Sequence, residues 1–112
     1  MEQHLLEPIT PGEILLEEYL IPYNISQNKL SRDIDVTVGR INDIIHGKRS
    51  ITADTALRLA KYFNTSADLW LGLQSEYDIR IARAKLGAYI ERRICTFENA
   101  QLFDNSNAGL TG

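Results

Sequence analysis

Residues 27–46 read QNKLSRDIDVTVGRINDIIH, and this stretch decides the fold. Two helices that cross steeply through a turn of three or four residues impose residue types at fixed offsets. The first helix needs a core residue and then a small one where its partner crosses; Leu30 and Ser31 stand there. Ile34 anchors its end. The turn needs a residue that tolerates positive φ, followed by an apolar plug. Asp35 and Val36 fill those places, and Asp enters the left-handed region more readily than most residues. The second helix must bury two residues three apart, here Ile41 and Ile44. The pattern predicts a helix-turn-helix.

Helix punctuation continues outward on both sides. Thr10-Pro11-Gly12-Glu13 reads as an N-cap, a proline at the first helical position and a capping-box glutamate. Pro22 stops that first helix, because the residue before a proline avoids the α region. Ser26 caps a second helix, Gln27 to Ile34, and Thr37 caps a third that ends at His46-Gly47. Thr52 caps a fourth, whose Ala56, Leu59, Ala60 and Phe63 fall on one face; Asn64 takes the left-handed position after it. Ser66 caps a fifth, with Trp70 in the core or in an interface and Gly87 as a candidate break. No alternating strand pattern occurs. The expected fold is all-α, five helices with a C-terminal helical extension. The expected divisions are an N-terminal arm over residues 1–9, a helix-turn-helix domain over 10–74, a helical extension with a dimer contact over 75–98, and a flexible tail over 99–112.

The 112 residues give room for one compact domain and an appendage. No apolar run approaches the roughly 20 residues of a membrane span. The N-terminus has neither the basic start nor the apolar stretch of a signal peptide, so a cytoplasmic location is expected. A single cysteine, Cys95, excludes an intrachain disulfide framework. His4 and His46 have no further ligand at metal spacing, and no nucleophile, cofactor loop or metal set accompanies Glu13, Glu17 and Glu18. No catalytic residue, cofactor or metal is therefore expected. Net charge is −3, but its distribution matters more. Residues 1–25 hold five acids and no Lys or Arg. Residues 26–65 hold seven basic side chains (Lys29, Arg32, Arg40, Lys48, Arg49, Arg58, Lys61) against four acidic ones. A basic middle of this kind can form a phosphate-facing patch.

The stretch 27–46 resembles the helix-turn-helix of the Cro/C1-repressor (XRE) family. That family has Ala at the place of Ser31 and Gly at the place of Asp35. The flanking segments, Pro11-Gly12-Glu13-Ile14-Leu15, Gly47-Lys48-Arg49-Ser50-Ile51-Thr52, Thr55-Ala56-Leu57-Arg58-Leu59-Ala60 and Ala67-Asp68-Leu69-Trp70-Leu71-Gly72-Leu73-Gln74, are similar to the HigA (VapI-type) antitoxins. The similarity runs over about residues 8 to 85 in order and spacing. It implies a five-helix lambda-repressor-like DNA-binding domain, and an antitoxin that binds a RelE/HigB-like mRNA endonuclease toxin and represses its own operon as a homodimer on a palindrome.

On that reading, the recognition helix meets base edges in the major groove with its N-terminal part. The expected base contacts are Thr37, Val38, Gly39, Arg40, Asn42 and Asp43. Arg40 is the candidate for guanine O6 and N7, Asn42 for adenine and Val38 for a thymine methyl. Ser26, Gln27, Lys48 and Arg49 are expected on phosphates, supplying affinity without sequence discrimination. The partners are then operator DNA, a toxin and a second copy of the chain, and no membrane. Two other readings stay open: a stand-alone XRE repressor without a toxin, and a protein-interaction module whose helix-turn-helix no longer reads DNA.

Overall fold

The computed structural model describes residues 8–101, and all regular structure among them is helical. Helix α1 begins at Pro11–Ile14 and continues as a π-helical segment, Leu15–Leu20. Helices α2 (Gln27–Ile34), α3 (Val38–Ile45), α4 (Ala53–Phe63) and α5 (Ala67–Arg93) follow. The expected caps explain most of these limits. Thr10 and Glu13 form the reciprocal capping box. The hydroxyls of Ser26, Thr37 and Ser66 accept from the backbone N–H groups of Lys29, Arg40 and Leu69 at 3.0, 3.1 and 3.0 Å. Asp35 and Asn64 adopt left-handed backbone, with φ of 59° and 56°. Thr52 occupies the N-cap of α4 without a side-chain bond.

Three features differ from the sequence expectation. Before Pro22 the chain does not simply stop: its last turns widen, with Ile21 N–H donating to Leu16 O and Ile25 N–H to Leu20 O, each five residues back. The chain then leaves the helix through a turn in which Asn24 has φ 57°. Gly87 is no break, since α5 runs through it to Arg93. Residues 97–101 form a helical turn rather than the start of a flexible tail, with the Thr96 hydroxyl accepting from Asn99 N–H at 3.2 Å. The remainder of that tail, His4 and most of the N-terminal arm lie outside the described residues.

The chain divides into two compact units, Met1–Arg80 and Ile81–Gly112. The first holds the core: Leu15, Leu20, Leu30, Ile41, Ile44, Ile51, Ala56, Leu59 and Trp70 are buried. Trp70 is therefore a core residue. Its indole N–H donates to Thr65 Oγ1 at 2.9 Å, and its ring lies 4.9 Å from that of Tyr19. The second unit exposes Leu86, Tyr89, Ile90, Ile94 and Phe97. No helix among the described residues is long and apolar enough to cross a membrane.

Candidate nucleic-acid interface

Helix α3 is held from behind. Ile41, Ile44 and Ile45 are its buried face. Gly12, in the first turn of α1, presses directly on its backbone: a Cβ at position 12 would lie 1.9 Å from Ile44 O and 2.7 Å from Ile45 Cα. The steep crossing of α2 and α3 is closed by Ser31, whose hydroxyl donates to Val36 O at 2.7 Å. An alanine there could not make this bond. Ser31 thus supplies both the small size and a clasp across the turn.

The opposite face of α3 is open. Thr37, Val38, Gly39 and Asn42 are exposed, while Arg40 and Asp43 are half-buried. Nothing lies within 4 Å of the position a Cβ would take at Gly39. Asn42 donates through Nδ2 to Gln27 Oε1 at 3.3 Å, so an expected base contact and an expected phosphate contact meet across the two helices. Ser26 lies beside Gln27 at the N-terminus of α2, where free N–H groups suit an anion.

The segment after α3 is fixed by backbone. Asp43 O accepts from Lys48 N–H at 2.7 Å and Arg49 N–H at 3.2 Å, and Gly47 makes the reversal at φ 74°. The side chains of Lys48 and Arg49 are left exposed. Farther along, buried Gln74 accepts from Ile51 N–H at 2.8 Å and donates to Asp78 Oδ1 at 2.9 Å. In the sequence Gln74 stands only within a segment similar to the family, and its one local signal is a polar residue at a core-facing helical spacing. Gln74→Leu would leave the Ile51 N–H buried without a partner, which costs about 1–3 kcal/mol. Urea unfolding should show that loss.

The basic middle is narrower than its seven residues suggest. Lys29 pairs with Asp33 at 2.8 Å. Arg58 bonds Asp54 through Nε and donates through Nη1 to Ile34 O (2.8 Å) and Asp35 O (2.9 Å). It therefore caps the end of α2 from α4, a structural role that its i,i+4 spacing from Asp54 only hinted at. Arg40 Nη1 lies 3.5 Å from Thr55 Oγ1 and 3.8 Å from Asp54 Oδ2. The Arg58 guanidinium holds the Asp54 carboxyl below its usual range. Hydrogen bonds from Lys29 and then Tyr62 do the same for Asp33. Lys48 and Arg49 make no ion pair among the described residues.

A helix packed from behind, with an open first turn and basic side chains along its exit, suits a duplex groove better than a small-molecule pocket. The helix-turn-helix family model designated HTH_3 matches residues 16–70. Virulence-associated protein I of Dichelobacter nodosus is 50% identical over 74 residues, covering 66% of this chain and 68% of that protein. The chain belongs to the HigA (VapI-type) antitoxins of the XRE helix-turn-helix family. Among solved structures, Pseudomonas aeruginosa antitoxin HigA with the higBA promoter matches with a TM-score of 0.78 at 46% identity, over 80% of this chain and 98% of that one. An addiction-module antidote protein of the HigA family from Coxiella burnetii matches with the same TM-score and identity, over 81% and 99%. Members of the HigA family are DNA-binding antitoxins and transcription regulators, not enzymes.

Proposed function

We propose that this chain is a sequence-specific DNA-binding antitoxin that represses its own operon and neutralises a RelE/HigB-like mRNA endonuclease toxin by direct binding. The observation that carries the DNA half is the open first turn of α3 above a backbone-fixed basic loop, in a chain 46% identical to an antitoxin solved with its promoter. Thr37, Val38, Gly39, Arg40, Asn42 and Asp43 face base edges. Ser26, Gln27, Lys48 and Arg49 hold phosphates on either side. The cytoplasm, where operator and toxin both lie, is its place of action.

Two copies act together. Two recognition helices about 34 Å apart occupy successive major grooves on one face of a duplex. Exposed Leu86, Tyr89, Ile90, Ile94 and Phe97 supply apolar surface for that pairing. Sedimentation at micromolar concentration should return a dimer.

Arg40→Ala should weaken operator binding by roughly 1–3 kcal/mol, and most on the duplex carrying the contacted base. Lys48→Ala should weaken binding evenly across sequences and lower the salt slope by about one. Equal, sequence-independent losses in both variants would remove Arg40 from the base contacts.

Gly39 separates fold from function more sharply. No group of the chain itself requires a glycine there. Gly39→Ala should stabilise the fold by up to about 1 kcal/mol through helix propensity and unfolded-state entropy, while weakening operator binding because a methyl now stands at the closest approach. Thermal melting and anisotropy on the same sample check both signs.

For the toxin half, co-expression with a small basic open reading frame beside its gene should restore growth, and the two chains should purify together. A chain that represses but captures no such partner would be a stand-alone XRE regulator.

A further inference from the structure

We infer that Asp54 is a positioning residue for sequence reading: it holds Arg40 by one nitrogen and leaves the guanidinium's other edge free for a base. The inference rests on the assignment of Arg40 as a base contact. It adds a residue from outside the helix-turn-helix to the reading machinery.

The geometry is a relay of fixed groups. Arg58 is anchored by two backbone carbonyls, Ile34 O and Asp35 O, at the end of α2. Its Nε binds Asp54 Oδ1, which fixes the carboxylate in the first turn of α4. The second oxygen, Oδ2, faces Arg40 Nη1 at 3.8 Å. Thr55, itself only 1% exposed, brings its hydroxyl to 3.5 Å from the same nitrogen. Two neighbouring groups of the first turn of α4 thus approach Arg40 at Nη1 alone. Among the described residues its Nε and Nη2 have no partner.

That asymmetry matters for chemistry. A guanidinium has five N–H donors in a planar fork, and the edge between Nε and Nη2 presents two parallel N–H bonds. Guanine offers O6 and N7 at matching separation in the major groove. A free arginine must give up rotamer freedom to reach that pose, whereas one held beforehand gives up less. The Arg40 side chain keeps 28% of its surface exposed, enough to present an edge.

A purely structural Asp54 would act through Arg58 and the first turn of α4, with no bearing on which sequence is bound. Asp54→Asn keeps the size and removes the charge. Anisotropy is measured with the full chain on the duplex from upstream of its gene and on a scrambled duplex, for wild type, Asp54→Asn, Arg40→Ala and the double variant. The wild-type ratio of the two affinities tests the assignment of the chain as a sequence reader, independently of Asp54. Given a wild-type preference, Asp54→Asn should reduce the ratio about tenfold, the coupling expected of side chains in contact. Affinity for scrambled DNA should hold or rise, because a negative charge near phosphates has gone. In the Arg40→Ala background Asp54→Asn should change the ratio no further. An unchanged ratio in the single variant, or the same loss with and without Arg40, would overturn the inference. Thermal melting of Asp54→Asn identifies any loss that comes from unfolding, since unfolding lowers both affinities together.

Discussion

Gly12→Ala should be among the most damaging single-methyl changes available to this chain, lowering stability by about 3 kcal/mol or more. The reason is the neighbour it would strike. The added carbon would sit 1.9 Å from a backbone oxygen of the recognition helix, where ordinary contacts stay beyond 3.0 Å. A flexible side chain can swing away from such an intrusion, but Ile44 O belongs to the helical ladder of α3. Either α1 retreats by more than an ångström, or α3 shifts within a core where Leu15, Ile41 and Ile44 are fully packed. Helix propensity works the other way, since alanine is favoured over glycine by about 1 kcal/mol, and it is outweighed. In a domain of this size each kilocalorie moves the midpoint by about 4–8 °C. A fall of well over 10 °C in thermal melting is therefore expected. A melting point within a few degrees of wild type would mean that α1 does not press on α3 as described.

Trp70→Ala should cost about 3–5 kcal/mol. The indole is wholly buried, packed near Tyr19 and Phe63, and its N–H is satisfied by Thr65. Truncation leaves a cavity among side chains that are themselves held by the core, and it removes the N–H that the Thr65 hydroxyl accepts from. Trp70→Phe should lose less, because it keeps much of the ring volume and gives up only the hydrogen bond and part of the indole. Guanidinium unfolding with tryptophan-independent circular dichroism measures both. If Trp70→Ala lost only about 1 kcal/mol, Trp70 would lie at an accessible surface rather than in the core.

Most of the fold was legible because helix ends leave chemical marks. Thr10, Ser26, Thr37 and Ser66 announce their helices through hydroxyls that satisfy free N–H groups, and Asp35 and Asn64 announce the exits through left-handed backbone. The periodic apolar residues of α3 and α4 placed the core. Less legible was whatever depends on close approach between distant segments. Gly12 reads locally as part of a capping box, and only packing against Ile44 shows why a side chain is excluded there. Gln74 and Arg58 serve backbone atoms more than 20 residues away, a relation that no local spacing encodes. Gly87 was misleading for the opposite reason: a single glycine weakens a helix without ending it, when the residues on both sides continue it.

For the interface, the structure leaves Thr37, Val38, Gly39, Asn42, Lys48 and Arg49 exposed. The charge count was a poorer guide, because Lys29, Arg40 and Arg58 are engaged with Asp33 and Asp54 inside the chain. The cations left to meet phosphates without first breaking an ion pair include Lys48 and Arg49, directly after the recognition helix. Arg32 and Lys61 likewise make no ion pair among the described residues, and on the proposed reading so small a set of free cations predicts a moderate salt slope for a net-acidic protein.

The most direct test of the central claim is fluorescence anisotropy of the purified chain on duplex DNA from upstream of its own gene, against a scrambled duplex, at about 150 mM salt. Preferential binding to the upstream duplex, weakening as salt is raised, is the predicted result. Equal affinity for both duplexes, with and without a co-purifying toxin, would contradict a sequence-reading role.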